Sequence, residues 1–308
     1  MIRNIQGRLY ARLKYIWHRF KKTGRYKLTK RLLQHIETED CKLSTEEKTV
    51  LKKLLSSRLV SHISYPFVKE YEYRPVKVLW DETKSLYYVY HHAKRLYFKK
   101  GLPKPFIRYI YNDLCLEQDI RSPHSYFVFP IQYHDTDIAV DIGAAEGIWA
   151  LDIVEKVREL YLFEYDEDWI KALQATFEPW KDKVHIVNKY VSDVSDSKNT
   201  TLDDYFYARN IFPTIIKADV EGAEIALVKG ASGLLSNHIA HAIICTYHNP
   251  DDFAMVLEMV KEYYTEVDVS NGYLIDIYSV PHFACHDFTN IFRKGVIHAH
   301  TSRRIKLV

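Results

Sequence analysis

Three stretches of this 308-residue chain place glycine, acidic and histidine residues where a ligand could be held and a proton moved. The first is Asp141-Ile-Gly143-Ala144-Ala145-Glu146-Gly147, which follows a short apolar run and precedes a helical pattern. Glycines there let the chain turn sharply and let a ligand approach the backbone, while the next helix presents its N-terminus. A dinucleotide fingerprint needs G-x-G-x-x-G, and Ala145 stands where the second glycine belongs. The loop therefore leans towards a ligand without phosphates. Glu164 ends the next apolar run, Leu160–Phe163, about 20 residues further on, where a carboxylate suits ribose hydroxyls.

The second stretch is Ile216-Lys-Ala-Asp219-Val-Glu221-Gly222-Ala-Glu224. Asp219 falls at the carboxyl end of a buried strand, where open α/β sheets bind ligands. Glu221 and Glu224 are placed to favour the next helix through its dipole, and Gly222 suits a tight turn. The third is Thr246-Tyr-His248-Asn-Pro-Asp-Asp252, again at a strand end. His248 reads either as a structural histidine or as a titratable group of the cleft. A further polar run, Glu117 to Tyr126 with His124 inside it, reads as a loop folded over the cleft or as a linker.

These residues need a scaffold, and the hydrophobic pattern supplies one. From residue 137 strands alternate with helices. Strands are expected at 138–142, 160–163, 184–187, 214–218 and 240–246, and helices at 148–157, 169–177, 223–235 and 253–264. Alternation of this kind implies a parallel sheet with right-handed crossovers. Runs at 266–269 and 274–278, joined by Asn271-Gly272, predict a hairpin that adds one antiparallel edge strand. Before this region, Ser44 and Glu47 form a capping-box pattern ahead of a helix. Three β-rich runs (76–80, 86–90 and 95–98) and a helix at 106–116 complete an α+β N-terminal extension.

Composition is that of a globular protein, and no run of 18 apolar residues suggests a membrane span. The 24 tyrosines read as core and strand positions before stacking surfaces. The four cysteines form no CxxC pair, which argues against zinc and against a disulfide framework. No apolar h-region opens the chain, so a cytoplasmic protein with reduced thiols is expected. Residues 1–31 hold 11 Lys or Arg and no Asp or Glu, leaving 32 basic against 40 acidic residues elsewhere. Ile2, Ile5, Leu9, Leu13, Ile16, Trp17 and Phe20 share one helical face of this arm. Such a helix either lies on an anionic membrane surface or packs on its own domain or a partner subunit. No nucleic-acid motif accompanies the charge.

Together the stretches resemble the FkbM family of S-adenosylmethionine-dependent methyltransferases, over roughly residues 117–298. The most telling motif, K-x-D-x-E-G-x-E, stands as Lys217 to Glu224, followed by Lys229-Gly230. A Val-Ser-Asp segment of that family stands as Val191-Ser192-Asp193. The resemblance implies a Rossmann-like class I methyltransferase sheet that binds S-adenosylmethionine. Its cofactor residues would be Asp141, Gly143, Ala144, Glu146, Gly147, Glu164, Tyr165, Ser192, Asp193 and Asp219. The implied organisation is a basic helical arm (1–60), an α+β extension with an acceptor-side lid (61–125) and the methyltransferase domain (126–308).

The Glu-Gln-Asp…Arg-Ser-Pro-His run and the Tyr-His before Asp251-Asp252 resemble a branch found with polysaccharide biosynthesis genes. That implies a sugar hydroxyl acceptor on a surface polysaccharide or its lipid-linked precursor, and the basic arm would fit the inner membrane face. Methyl transfer needs in-line positioning, and a hydroxyl acceptor needs a base. His248, Asp219 and His124 are the candidates, in that order. A divalent cation on Asp219, His248 and Asp252 ranks behind a metal-free site. The other readings are an NAD(P)-dependent oxidoreductase and a non-catalytic scaffold of the same fold.

Overall fold

A computed structural model describes residues 43–56, 62–72, 74–276 and 291–301. The basic arm and residues 277–278 of the expected last strand lie outside them. Chain contacts divide the protein into residues 1–60 and 61–308. In the first unit, helix α1 (Thr45–Ser56) begins with the expected capping box. Ser44 N donates to Glu47 Oε2 at 2.7 Å and Glu47 N to Ser44 Oγ at 3.2 Å.

The second unit starts with an antiparallel meander, β1 (Leu79–Asp81), β2 (Leu86–His91) and β3 (Lys94–Tyr97), then helix α2 (Lys104–Glu117). Next come β4 (Ile138–Ile142), α3 (Ile148–Ile153), β5 (Glu159–Phe163), α4 (Glu167–Thr176) and β6 (Val184–Val187). A small parallel pair, β7 (Tyr190–Val191) and β8 (Asn199–Thr200), leads to α5 (Leu202–Tyr207) and β9 (Ile215–Ala218). The chain continues through α6 (Glu224–Lys229), α7 (Ser232–Asn237), β10 (His241–Cys245), α8 (Asp252–Lys261) and β11 (Glu266–Val269). It ends with β12 (Leu274–Ile275), β13 (Phe292–Arg293) and β14 (Val296–His300).

Seven strands form the central sheet in the order β6-β5-β4-β9-β10-β14-β11. Pairings from β6 to β10 are parallel, while β14 runs antiparallel to both its neighbours. This is the mostly parallel Rossmann-like sheet expected from the pattern. Its central strands are buried on both sides, so they read as continuous apolar runs. One face packs on α3, α4 and the N-terminal meander, the other on α5 to α8. The meander is held there by Leu86, Tyr88 and Tyr97 against Ala172 and Ala175 of α4. Tyr97 N also donates to Thr176 Oγ1, at 3.0 Å.

The expected hairpin across Asn271-Gly272 does not form. The antiparallel strand comes from residues 296–300, inserted between β10 and β11. After the turn, β12 pairs instead with β13, and Ile275 N donates to the His62 carbonyl at 2.7 Å. The expected helix over 223–235 is also two helices, broken at Gly230. A Cβ on Gly230 would lie 2.0 Å from the Ser192 carbonyl oxygen, so this corner must be a glycine.

Candidate active site

Four strand ends meet at the carboxyl side of the sheet. β4 delivers the glycine loop, β5 Glu164, β9 Asp219, and β10 Tyr247 and His248. Gly143 has φ 75°, and a Cβ on it would lie 2.0 Å from the Asp219 carbonyl oxygen. Only a bare backbone lets the two loops approach this closely. Ala145 also has positive φ, 46°, which aims its amide at Glu164. That amide donates to Glu164 Oε2 at 2.9 Å, and the Tyr165 and Asp166 amides donate to Oε1 at 2.7 Å each. Burial raises the Glu164 carboxyl above its usual range, and the three amides oppose that. The Tyr165 ring stacks on Tyr190 with centroids 3.8 Å apart.

Behind the glycine loop, Asp141 and Lys217 are cross-strand neighbours. Lys217 Nζ sits 3.0 Å from Asp141 Oδ1, both side chains at least 95% buried. Burial pushes the Asp141 carboxyl up, and Lys217 opposes the shift. Burial works against the Lys217 charge, but Asp141 and Asp219 outweigh it and hold the ammonium protonated. Asp141 thus spends its charge inside the sheet. Lys217 also lies 4.9 Å from the Tyr126 ring centroid.

Asp219 is the hub of the opposite side. Tyr126 donates to its Oδ2 at 2.6 Å, and Tyr247 to its Oδ1 at 3.4 Å. His124 Nε2 lies 3.6 Å from Oδ2, and His248 Nε2 3.3 Å from Oδ1. Burial works to raise this carboxyl, yet His124, His248 and Lys217 hold it well below the usual range. The second nitrogen of His248 is 2.9 Å from Glu224 Oε1. Burial lowers the basicity of His248, but Glu224 and Asp219 outweigh it and raise its pKa to about 9. Two of the candidate proton-transfer residues, His124 and His248, therefore flank the third, the Asp219 carboxylate.

The run from Glu117 to Tyr126 passes from exposed positions at Ile120 and Arg121 to a buried stretch from Ser122 onward. Ser122, His124, Ser125 and Tyr126 are buried, and Ser125 Oγ and Tyr126 N are tied back to Gln118. Gly295 lets the Pro123 carbonyl approach, since a Cβ there would be 1.9 Å from it. His124 and Tyr126 of this run face the Asp219 carboxylate. Glu117 contacts His62 Nε2 at 3.0 Å, and His62 stacks over Tyr247 at 6.4 Å. Burial works to raise Glu117, but His124 and His62 outweigh it and lower its pKa.

His62, Tyr126, Tyr247 and Glu224 were not singled out as active-site groups by the sequence. Tyr126 and Tyr247 border flagged residues, which was the available signal. His62 had none, being linked to the site only by the fold. Ser192 and Asp193 lie on the turn between β7 and β8, packed against Gly230. Asp252, a metal candidate from sequence, uses its carboxylate to accept from Asn249 N at 2.8 Å. Asp219, Glu224 and His248 form one compact donor group among the described residues, their ligand atoms within 4.8 Å of one another.

The glycine loop itself carries an acidic side chain. Glu146, half-buried in the glycine loop, is raised to about 7, chiefly by burial and further by Glu117 and Glu164. Lys99 works against that rise, but its ammonium is bound to Asp166 at 2.9 Å. The other nearby lysine, Lys217, is committed to Asp141.

No protein-family model matches the chain, and no curated protein does. Solved structures of methyltransferases share part of the fold. The methyltransferase FkbM from Methylobacillus flagellatus KT is 19% identical, with a TM-score of 0.44, over 57% of this chain and 46% of that one. The match thus spans less than half of that protein. Precorrin-6y C5,15-methyltransferase from Geobacter metallireducens GS-15 is 10% identical, with a TM-score of 0.39, over 67% and 93% of the two chains. An rRNA methylase from Streptococcus thermophilus is 12% identical, with a TM-score of 0.34, over 55% and 90%. These likenesses are partial, and the fold assignment stands on the strand order itself.

Proposed function

We propose that the protein is an S-adenosylmethionine-dependent O-methyltransferase acting on a sugar hydroxyl of a surface polysaccharide or its lipid-linked precursor. The observation that carries the cofactor assignment is the charge of the cleft. Glu146 and Glu164 bring two carboxyl groups to the glycine loop, while the ammonium groups of Lys99 and Lys217 are paired with Asp166 and Asp141, which favours a cationic sulfonium and ammonium over an anionic pyrophosphate. The same charge speaks against a nicotinamide dinucleotide.

The residues fit this cofactor. Glu164 offers remaining acceptor capacity to ribose hydroxyls, and the Tyr165–Tyr190 stack offers an aromatic surface beside it. Bound there, the cofactor supplies an electrophilic methyl group. The chain's own residues do the rest. Tyr126, Tyr247 and His124 wall the acceptor side and exclude water. Asp219 fixes the ring of His248, and Glu224 holds its far nitrogen. In its neutral form His248 takes the acceptor's hydroxyl proton; Asp219, already ionised, orients it.

Among the described residues no helix is long and apolar enough to cross a membrane. Access to a lipid-linked acceptor would come from the basic face of residues 1–31. The substrate class is tested by mass spectrometry of the producing organism's surface glycans with and without this protein. Loss of a single methyl from one sugar supports the proposal, and unchanged glycans contradict it.

A further inference from the structure

The turn between β2 and β3 carries adjacent histidines, His91 and His92. His92 and Ala93 have φ of 46° and 67°, a region that residues with side chains rarely occupy. This turn brings both imidazoles onto one oxygen of Asp152, which sits on α3. His91 Nε2 lies 3.0 Å and His92 Nδ1 2.9 Å from Asp152 Oδ1. The side chains of His91 and Asp152 are 6% and 15% exposed, whereas His92 is 73% exposed.

The network behind His91 fixes its proton. The Tyr111 hydroxyl has one hydrogen and donates it to the Tyr90 carbonyl at 3.2 Å. His91 Nδ1, 3.1 Å from the same hydroxyl oxygen, is then the donor in that contact. Nε2 is then the ring nitrogen that faces the Asp152 carboxylate oxygen. A cation among Nε2, His92 Nδ1 and Asp152 Oδ1 would take a lone pair from each of them.

We propose that His91, His92 and Asp152 bind a divalent transition-metal ion of the zinc type, outside the candidate active site. Two imidazole nitrogens and one carboxylate oxygen suit zinc, nickel or copper better than magnesium or calcium. Zinc bonds of about 2.0–2.2 Å put tetrahedral ligand atoms roughly 3.3 Å apart, and these three atoms lie within 4.8 Å of one another. Tyr111 supplies the outer hydrogen bond that orients a metal-bound imidazole. The open side next to His92 leaves the fourth position to water. The ion fastens the meander to the helix that begins at the glycine loop.

The test is titration of the metal-stripped full chain with cobalt(II) and then zinc, followed by visible absorption and calorimetry. One equivalent should bind with a tetrahedral cobalt spectrum and raise the melting temperature. His92→Gln, at an exposed position that leaves packing intact, should weaken binding at least tenfold. Asp152→Asn should abolish it, and His248→Gln should leave the metal affinity as in the parent. Absence of stoichiometric binding would mean that the three side chains only pair with one another. Equal affinity in parent, His92→Gln and Asp152→Asn would place the ion elsewhere. Either result overturns the assignment.

Discussion

His248 Nε2 and Asp219 Oδ1 lie 3.3 Å apart at the carboxyl ends of two adjacent parallel strands. With Glu224 at the other ring nitrogen, the imidazole is flanked by two carboxylates and charged at neutral pH. A base must be neutral to accept a proton, so kcat/KM should climb as pH rises through about 9 and level off above it. His248→Gln should remove that limb and lower kcat by about 100-fold or more. A pH–rate profile of both proteins checks this; a profile already flat from pH 6 would remove His248 from the role.

The same shift predicts a stability change. The folded-state pKa of His248 lies above its ordinary 6.5, at about 9. Its stabilising contribution is therefore complete below about pH 6.5 and lost as pH rises through about 9. The linkage amounts to roughly 3 kcal/mol. Denaturant unfolding between pH 6 and 10 should show this decline in the parent and not in His248→Gln.

Asp141 and Lys217 give a test that separates fold from chemistry. Lys217→Met leaves a buried carboxylate without its partner and should cost about 3–5 kcal/mol. Adding Asp141→Asn removes the orphaned charge and should recover most of that loss, measured by chemical denaturation as a double-mutant cycle.

Much of this arrangement was legible in the sequence, and what was missed has a common cause. Strands β4, β5, β9 and β10 announced themselves as short apolar runs, and strand ends in a parallel sheet converge, so Glu164, Asp219 and His248 could be grouped. Side-chain partners across the sheet are not written in local pattern. The Lys217–Asp141 pair needs the β4–β9 register, and His62 reaches Glu117 only through tertiary packing. The Asn271-Gly272 turn was a true turn signal, with Gly272 at φ 91°. Which strand follows such a turn into the sheet is decided by long-range competition, won here by residues 296–300.

The basic arm makes a separate prediction. Deleting residues 1–31 removes 11 positive charges and no negative ones, so binding to anionic vesicles should be lost while cofactor affinity stays the same. Vesicle co-sedimentation and calorimetry check the two halves. Equal sedimentation of both forms would show that the arm does not act at a membrane.

The most direct test of the central claim is calorimetric titration of the purified full chain with S-adenosylhomocysteine and, separately, with NADH. The structure predicts saturable one-to-one binding of S-adenosylhomocysteine and none of NADH. Glu164→Ala should weaken that binding at least tenfold, because it removes the carboxylate held by three backbone amides and proposed to bind the ribose hydroxyls. Binding of NADH alone would contradict the account.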